Sequence, residues 1–138
     1  MPKNKLLRLV VDTNLWISFL LTKDYTKLDK ILFSGKVTLI FSQELLSEFV
    51  DVVNRPKFRK YFSQSDIEDI LETIDEYAEF VEVNTEINAC RDSKDNFLLA
   101  LAVDGKADYL LTGDKDLLEI KKISNAKIIT ITDYFAKA

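Results

Sequence analysis

The sequence contains no histidine among its 138 residues, and this absence excludes several kinds of catalytic site. Serine–histidine–aspartate triads, cysteine–histidine pairs, histidine-ligated zinc and general acid–base catalysis by histidine all need a residue that the chain lacks. An enzyme with this sequence therefore relies on carboxylates, lysines or hydroxyls, alone or with a metal ion that binds oxygen ligands.

Cysteine, glycine and proline are scarce as well. Cys90 is the only cysteine, so the chain has no internal disulfide, and a small core residue is the simplest role for it. Only three glycines and two prolines accompany 47% hydrophobic residues, a composition that is typical of a compact globular protein. We therefore predict a single domain over residues 1–138.

Long apolar runs are also missing, which bears on where the protein resides. No run approaches the ~20 residues that a membrane-spanning helix needs. The N-terminus is basic, but Arg8 and Asp12 interrupt the apolar run behind it, so the sequence does not have the form of a cleavable signal. We expect a cytoplasmic protein without a membrane partner.

Basic residues are absent from one long stretch, and this unevenness lies behind the net charge of −4. Residues 61–90 contain nine acidic side chains and neither lysine nor arginine, which leaves 14 acidic and 19 basic residues in the rest of the chain. The acidic net charge is therefore compatible with a nucleic-acid partner, because basic residues can still form a local binding surface.

Short apolar runs alternate with amphipathic segments along the chain. The predicted strands cover residues 7–11, 37–41, 80–83, 109–111 and 128–131. The predicted helices cover residues 14–21, 25–34, 42–54, 65–78 and 96–104, a short segment from 116 and a terminal segment from 132. Strands that alternate with helices predict an α/β fold, in which a mainly parallel central sheet lies between two helical layers in a three-layer α/β/α sandwich.

Small polar residues mark the ends of several predicted helices. The predicted N-caps are Ser42, Asp95 and Thr132. Ser65, with Glu68 three residues later, has the spacing of a capping box. Gly35 follows the second helix at the position where a left-handed backbone commonly ends a helix.

Three segments place an aspartate where a strand ends or a helix begins: "LVVDTN", "YLLTGDKD" and "CRDSKDNFLLALA". In a parallel sheet, the carboxyl ends of strands and the starts of the following helices meet at one edge, so we expect Asp12, Asp95 and Asp114 to converge there. Ionised carboxylates held together repel one another, and Mg²⁺ or Mn²⁺ relieves that repulsion with all-oxygen ligands. Taken singly, each aspartate could equally be a helix cap or a turn residue.

Four segments together resemble the PIN domain, specifically the VapC-like PIN toxins of bacterial toxin–antitoxin pairs. They are "VVDTNLWIS", "SQELLSEFVDVVNRPKF", "RDSKDNFLLALAVDGKADYLLTGDKDLL" and "IITITDYF", and the resemblance spans about residues 7–135. It implies a Mg²⁺- or Mn²⁺-dependent endoribonuclease with an α/β/α sandwich, which cleaves single-stranded or structured RNA and leaves a 5′-phosphate and a 3′-hydroxyl. It also implies a homodimer and a cognate antitoxin protein that inserts a segment near the site.

The resemblance also implies the residues of the site. The four family acids, which bind metal and carry the catalysis, match Asp12, Glu48, Asp95 and Asp114. An accessory metal-binding acid matches Asp116. Two polar residues that orient the ligands match Asn14 and Thr112.

Glu48 rests on the resemblance alone. Its helix buries a stripe of apolar residues, and Glu48 falls on the flank that also carries Glu44 and Asp51. Without the resemblance, this position is that of a solvated helix carboxylate.

The stretch "NRPKFRKYF" interleaves basic and aromatic residues. Its basic residues are Arg55, Lys57, Arg59 and Lys60. They could bind RNA phosphates while an aromatic ring stacks on an unpaired base. The alternative is a solvated loop whose aromatic rings lie in the core.

Two functions remain open from the sequence. The first is a metal-dependent endoribonuclease, the toxin of a toxin–antitoxin pair, which needs no side-chain nucleophile and is therefore consistent with the absence of histidine. The second is a catalytically silent PIN-like module that binds RNA or a protein. The complete set of four acids favours the enzyme.

Overall fold

Six strands form one sheet in the computed structural model, which describes residues 6–137. They are β1 (Leu7–Val11), β2 (Val37–Phe41), β3 (Ala78–Phe80), β4 (Tyr109–Leu111), β5 (Lys122–Ile123) and β6 (Ala126–Ile129). Their order across the sheet is β3-β2-β1-β4-β6-β5, and neighbouring strands are parallel except for the antiparallel pair of β5 and β6. The prediction of a mainly parallel sheet is confirmed. The basic N-terminus at residues 1–5 lies outside the described residues.

Seven α-helices accompany the sheet in the described chain. They are α1 (Thr13–Thr22), α2 (Thr26–Phe33), α3 (Gln43–Val53), α4 (Gln64–Tyr77), α5 (Ser93–Asp104), α6 (Lys115–Ile120) and α7 (Ile131–Lys137). Because crossovers between parallel strands are right-handed, the steps from β1 through β2 to β3 place α1 to α4 on one face. The return from β3 to β4 and β6 places α5 and α6 on the other, which produces the predicted three layers. None of the helices within residues 6–137 has the length and apolar character to cross a membrane.

The central strands are buried on both faces, which explains why they appear in the sequence as continuous apolar runs. On one face, the Trp16 ring lies 5.9 Å from the Phe41 ring and 6.5 Å from the Phe49 ring, between centroids, so α1 and α3 pack together over β2. On the other face, Ile40 packs against the end of α5. A Cβ atom at Gly105 would lie 2.5 Å from Cγ2 of Ile40, so only glycine lets α5 approach the sheet this closely.

Arg8 ties β1 to its surroundings at the amino end of the sheet. Its guanidinium donates two hydrogen bonds to the Glu79 carboxylate on β3, at 2.9 and 2.8 Å, and Nε donates to the Gly105 carbonyl at 2.8 Å. This pairing raises the pKa of Arg8 and lowers the pKa of Glu79. Arg8 therefore links the central strand β1 to the β3 edge of the sheet and to the end of α5.

The N-cap of α4 lies two residues earlier in the chain than predicted. The capping box is formed by Ser63 and Asp66, not by Ser65 and Glu68: Oγ of Ser63 accepts from the Asp66 amide at 3.1 Å, and the Asp66 carboxylate accepts from the Ser63 amide at 2.9 Å. Both pairs have the spacing of a capping box, but the helix begins at the earlier pair. The prediction for the end of α2 is confirmed, because Gly35 adopts a φ of +70°.

Two further helices also begin earlier than predicted. Asp92, not Asp95, caps α5, because its Oδ1 accepts from the Lys94 amide at 2.9 Å. Asp95 therefore lies in the first turn of the helix. At α7, the Thr130 hydroxyl accepts from the Asp133 amide at 3.0 Å, whereas Thr132 was the predicted cap.

Two strands are shifted and one was not predicted. Strand β3 ends at Phe80, where the prediction began, and β6 ends at Ile129 rather than at 131. The antiparallel strand β5 has only two residues, too few to show a pattern in the sequence. Its turn to β6 passes through Ser124, whose φ of +52° is unusual for a residue other than glycine.

The observed capping box makes a prediction about stability. Replacing Ser63 with alanine removes the acceptor for an otherwise exposed amide at the start of α4, and we expect a loss of about 1 kcal/mol in the free energy of unfolding. Ser65→Ala is the matched control and should change stability by less than about 0.5 kcal/mol. Urea denaturation measures both. A larger loss in the Ser65 variant would restore the predicted cap.

Candidate metal centre

The site begins at the carboxyl ends of β1 and β4, which are neighbours in the sheet. Val11 pairs with Leu111 at the ends of these strands, and the Asp12 amide donates to the Leu111 carbonyl at 3.0 Å. Asp12 follows β1 directly and caps α1, while Asp114 lies three residues after β4 and caps α6. The strand pairing therefore brings two helix starts together, and each carries an aspartate, as the sequence predicts.

Thr112 joins these two aspartates. Its hydroxyl donates to Oδ2 of Asp12 at 2.7 Å and accepts from the Asp114 amide at 3.0 Å, and the Thr112 side chain is fully buried. The other oxygen of Asp12 accepts from the Asn14 amide at 3.1 Å. One hydroxyl and one helix amide thus hold the Asp12 carboxylate in a fixed orientation.

Asp95 reaches the same place from the first turn of α5, which lies in the helical layer opposite α1. Asp95, Asp114 and Asp116 each offer one carboxylate oxygen, and these three atoms lie within 4.8 Å of one another. Such a spacing allows one cation to contact all three carboxylates. The donors are oxygen atoms only, because the nearby Cys90 thiol has a pKa raised by burial and by the surrounding aspartates and stays protonated. The group therefore fits a hard divalent cation such as Mg²⁺ or Mn²⁺.

Burial makes the carboxylates of Asp95 and Asp12 costly to ionise. Burial, together with the charges of Asp114, Asp92, Asp12 and Asp116, raises the pKa of Asp95 to about 6. Burial also raises the pKa of Asp12, although the hydrogen bonds from Thr112 and Asn14 act in the opposite direction. A bound cation would offset both costs.

Glu48 on α3 faces the same space. A cleft of ≈ 300 Å³ lies between α1, α3, the segment 55–58 and the start of α5, and its acidic residues are Asp12, Glu48, Asp92, Asp95 and Asp114. The Glu48 carboxylate lies 3.8 Å from Nζ of Lys94, also at the cleft. Glu44, one turn before Glu48, is exposed and does not line this cleft.

The remaining predicted ligand-orienting and accessory residues lie close by. Asn14 lines the cleft with an exposed side chain. Asp116 does not line it but belongs to the three-carboxylate group, and its other neighbour is Arg91, whose guanidinium lies 3.7 Å away.

The four predicted basic residues divide into two pairs. Arg55 and Lys57 line the cleft, whereas Arg59 and Lys60 line only a neighbouring depression around Phe58, to which Lys57 also contributes. The aromatic residues of this segment differ in their burial. Phe58 stacks on the buried Phe62 with centroids 5.5 Å apart, while Tyr61 is 51% exposed.

Sequence reasoning did not select Arg91 and Lys94 as site residues. Both belong to "CRDSKDN", the segment that supplies Asp95, and each pairs with a predicted acid of the site. Their basic character within an acidic motif was the available signal. The distance between each cation and its acid depends on the packing of α5 against α3 and α6, which the sequence does not display.

The raised pKa of Asp95 predicts a pH dependence for the metal-free protein. An aspartate that titrates at 3.8 in the unfolded chain and at about 6 in the folded one lowers stability as the pH rises through this interval. In EDTA above pH 7, we expect Asp95→Asn to be more stable than wild type by about 1–3 kcal/mol, a difference that should shrink towards pH 4. Urea denaturation at several pH values measures it, and a difference independent of pH would contradict the assignment. Glu44→Gln, on the surface, is the control.

Comparisons with known proteins agree with the observed fold. The sequence pattern of the PIN domain family matches residues 8–116. An uncharacterized protein of Methanocaldococcus jannaschii, MJ1680, is 32% identical over 118 residues, which are 83% of this chain and 76% of that protein. A chain from the crystal structure of VapBC2 from Rickettsia felis, bound to a DNA fragment from their promoter, shares the fold with a TM-score of 0.60 at 16% identity, over 88% of this chain and 97% of that one. The chain belongs to the PIN domain family.

Proposed function

We propose that the protein is a Mg²⁺- or Mn²⁺-dependent endoribonuclease. The observation that carries this proposal is the convergence of Asp12, Asp95 and Asp114, which come from three different parts of the chain, at one edge of the sheet. Neutral or basic side chains would serve a purely structural edge without the energetic cost of ionising buried carboxylates. Membership in the PIN domain family supports a nuclease activity for this arrangement.

Four or five carboxylates would hold the metal. Asp95, Asp114 and Asp116 have oxygen atoms close enough to share one ion, and Asp12 and Glu48 approach from the other walls of the cleft. A divalent ion bound there supplies Lewis acidity, which lowers the pKa of water and neutralises charge on a phosphodiester. Thr112 keeps the Asp12 carboxylate oriented towards the site, so that this ligand loses little conformational entropy on binding.

The cleft itself would position the RNA. Arg55 and Lys57 lie on its wall and provide positive charge for phosphates on either side of the reacting group. The exposed side-chain amide of Asn14 offers a hydrogen-bond donor at the cleft. Because water is the expected nucleophile, the reaction needs neither the thiol of Cys90 nor a histidine.

We further infer that this nuclease is the toxin of a toxin–antitoxin pair, with a cognate antitoxin protein as its partner, acting as a homodimer in the cytoplasm. Two observations support the inference: the sequence resemblance to PIN toxins over about residues 7–135, and the shared fold with a chain of VapBC2 from Rickettsia felis. A small adjacent reading frame that encodes a DNA-binding protein would identify the partner.

The proposal predicts metal-dependent cleavage. Purified protein should cleave single-stranded RNA in Mn²⁺ or Mg²⁺ and should lose this activity in EDTA. Asp12→Asn and Glu48→Gln should each lower the cleavage rate at least about 100-fold, which corresponds to about 2.7 kcal/mol of transition-state stabilisation, because each removes a metal ligand. Gel analysis of labelled RNA measures the rates.

Two controls make this test specific. Glu44→Gln, one turn before Glu48 and outside the cleft, should keep full activity. In EDTA, Asp12→Asn and Glu48→Gln should be no less stable than wild type, since each removes a charge from an acidic cluster. Full activity in EDTA would overturn the mechanism. A protein that binds RNA and Mn²⁺ without cleaving would instead be a silent binding module.

The division of the basic residues predicts different effects on RNA binding. Replacing Arg55 and Lys57 with glutamine should weaken RNA binding and lower the slope of log Kd against log salt by about 1.4, or about 0.7 for each lost phosphate contact with a single strand. The same replacement of Arg59 and Lys60 is the matched control, with an equal loss of charge outside the cleft, and should lower the slope less. Equal slopes for the two double variants would show that the cleft wall has no special role. The Asp12→Asn background prevents cleavage during the titrations.

A further inference from the structure

Two basic side chains flank the acidic cluster, and both come from the segment that leads into α5. Arg91 lies 3.7 Å from the carboxylate of Asp116, and Lys94 lies 3.8 Å from that of Glu48. Glu48 and Lys94 line the cleft, whereas Asp116 belongs to the three-carboxylate group and does not line it. Neither cation contributes to the ligand set proposed above, yet each neutralises one of its acids.

Local hydrogen bonds fix the backbone from which these side chains extend. Asp92 accepts from the Lys94 amide at 2.9 Å, and the side chain of Asn96 bonds both the amide and the carbonyl of Cys90, at 2.8 and 2.9 Å. Lys94 is the second residue of α5 and directly precedes Asp95. Its side chain is 57% exposed and lines the same cleft as Glu48, so it lies between solvent and the candidate metal centre.

The pair of Glu48 and Lys94 is of a kind that exchanges readily. Exposed ion pairs contribute little stability, because solvent screens them and both side chains lose conformational freedom. A divalent ion has twice the charge of an ammonium group and attracts the same carboxylate more strongly at the same distance. Within the described residues, Lys94 is the cation paired with Glu48, and a divalent ion would compete with it for the Glu48 carboxylate.

We propose that Lys94 is the resident counter-ion of Glu48, and that it moves from Glu48 to an RNA phosphate when the metal binds. The proposal rests on the metal-dependent activity proposed above and adds a positioning residue to it. In the metal-free protein, the ammonium group lowers the negative charge of the cleft. In the loaded protein, Glu48 turns to the metal, and the ammonium group becomes available to a phosphate oxygen at the cleft mouth.

This exchange addresses an electrostatic difficulty of the cleft. Five acidic side chains line it against three basic ones, Arg55, Lys57 and Lys94, so the cleft without metal has a net negative charge that repels an RNA backbone. A lysine that is held by a carboxylate without metal and given up with metal would make productive RNA binding depend on the loaded site. Lys94 thus couples the occupancy of the metal site to the affinity for RNA.

Titration calorimetry with Mn²⁺ tests the first half of the proposal. Lys94→Met keeps the length of the side chain and removes its charge, and we expect Mn²⁺ to bind about three- to tenfold more tightly, because Glu48 no longer has a competing partner. In a Glu48→Gln background, the same change should have no further effect. Lys115→Met is the matched control. Lys115 adjoins Asp114, is exposed and has no ion pair within residues 6–137, so its loss should tighten binding less than about twofold.

Steady-state cleavage of single-stranded RNA tests the second half. Lys94→Met should raise KM several-fold with little change in kcat, since a phosphate contact is lost while the metal ligands remain. Unchanged or weaker Mn²⁺ binding, equal tightening in the Glu48→Gln background, or an unchanged KM would each overturn the proposal. If wild type binds Mn²⁺, and Asp95→Asn abolishes this, while Lys94→Met binds as wild type does, only the role of Lys94 fails. If wild type does not bind Mn²⁺, the proposed function fails with it.

Discussion

The hydroxyl of Thr112 is the interaction on which the site depends, because it fixes two aspartates that would otherwise move apart. It donates to one oxygen of Asp12 and accepts from the backbone amide of Asp114, and it is fully buried. Thr112 follows the last residue of β4, so its position is set by the parallel pairing of β4 with β1. The geometry of the acids therefore depends on sheet register, which is strongly specified because the central strands are buried.

The charges of the site are arranged in an inner and an outer group. Asp12 and Asp95 are buried, and no lysine or arginine of the described chain pairs with them. Glu48 and Asp116 are partly exposed, and each has a basic neighbour. Ionising the inner carboxylates therefore costs free energy, which a bound cation would offset. Each outer carboxylate already has a basic side chain beside it. Under the function proposed above, the inner group would contribute most to metal affinity, and the outer group would influence how RNA approaches.

The sequence predicts the strands better than the ends of the helices, for a physical reason. β1, β2 and β4 are short apolar runs that stop at polar residues, and their bounds match the prediction. The starts of α4, α5 and α7 were each placed two or three residues too late, because a second capping residue occurs just before the predicted one and local spacing does not decide between them. Convergence of the aspartates follows from parallel topology alone. The orientation of Glu48 towards the cleft does not, since helical periodicity identifies the buried stripe but not which flank of α3 faces α5.

Gly105 has a consequence for the site at the other end of its helix. α5 has twelve residues and is therefore about 18 Å long, with Asp95 in its first turn and Gly105 as its C-cap. Because glycine at position 105 lets the helix contact Ile40 closely, a methyl group there would push this end of α5 away from the sheet and change the tilt of the helix. A tilt of a few degrees at the C-cap displaces the opposite end by about 1 Å, comparable to the tolerance of a metal-binding geometry. Gly105 thus helps to set the position of Asp95, a buried carboxylate near the other end of the same helix.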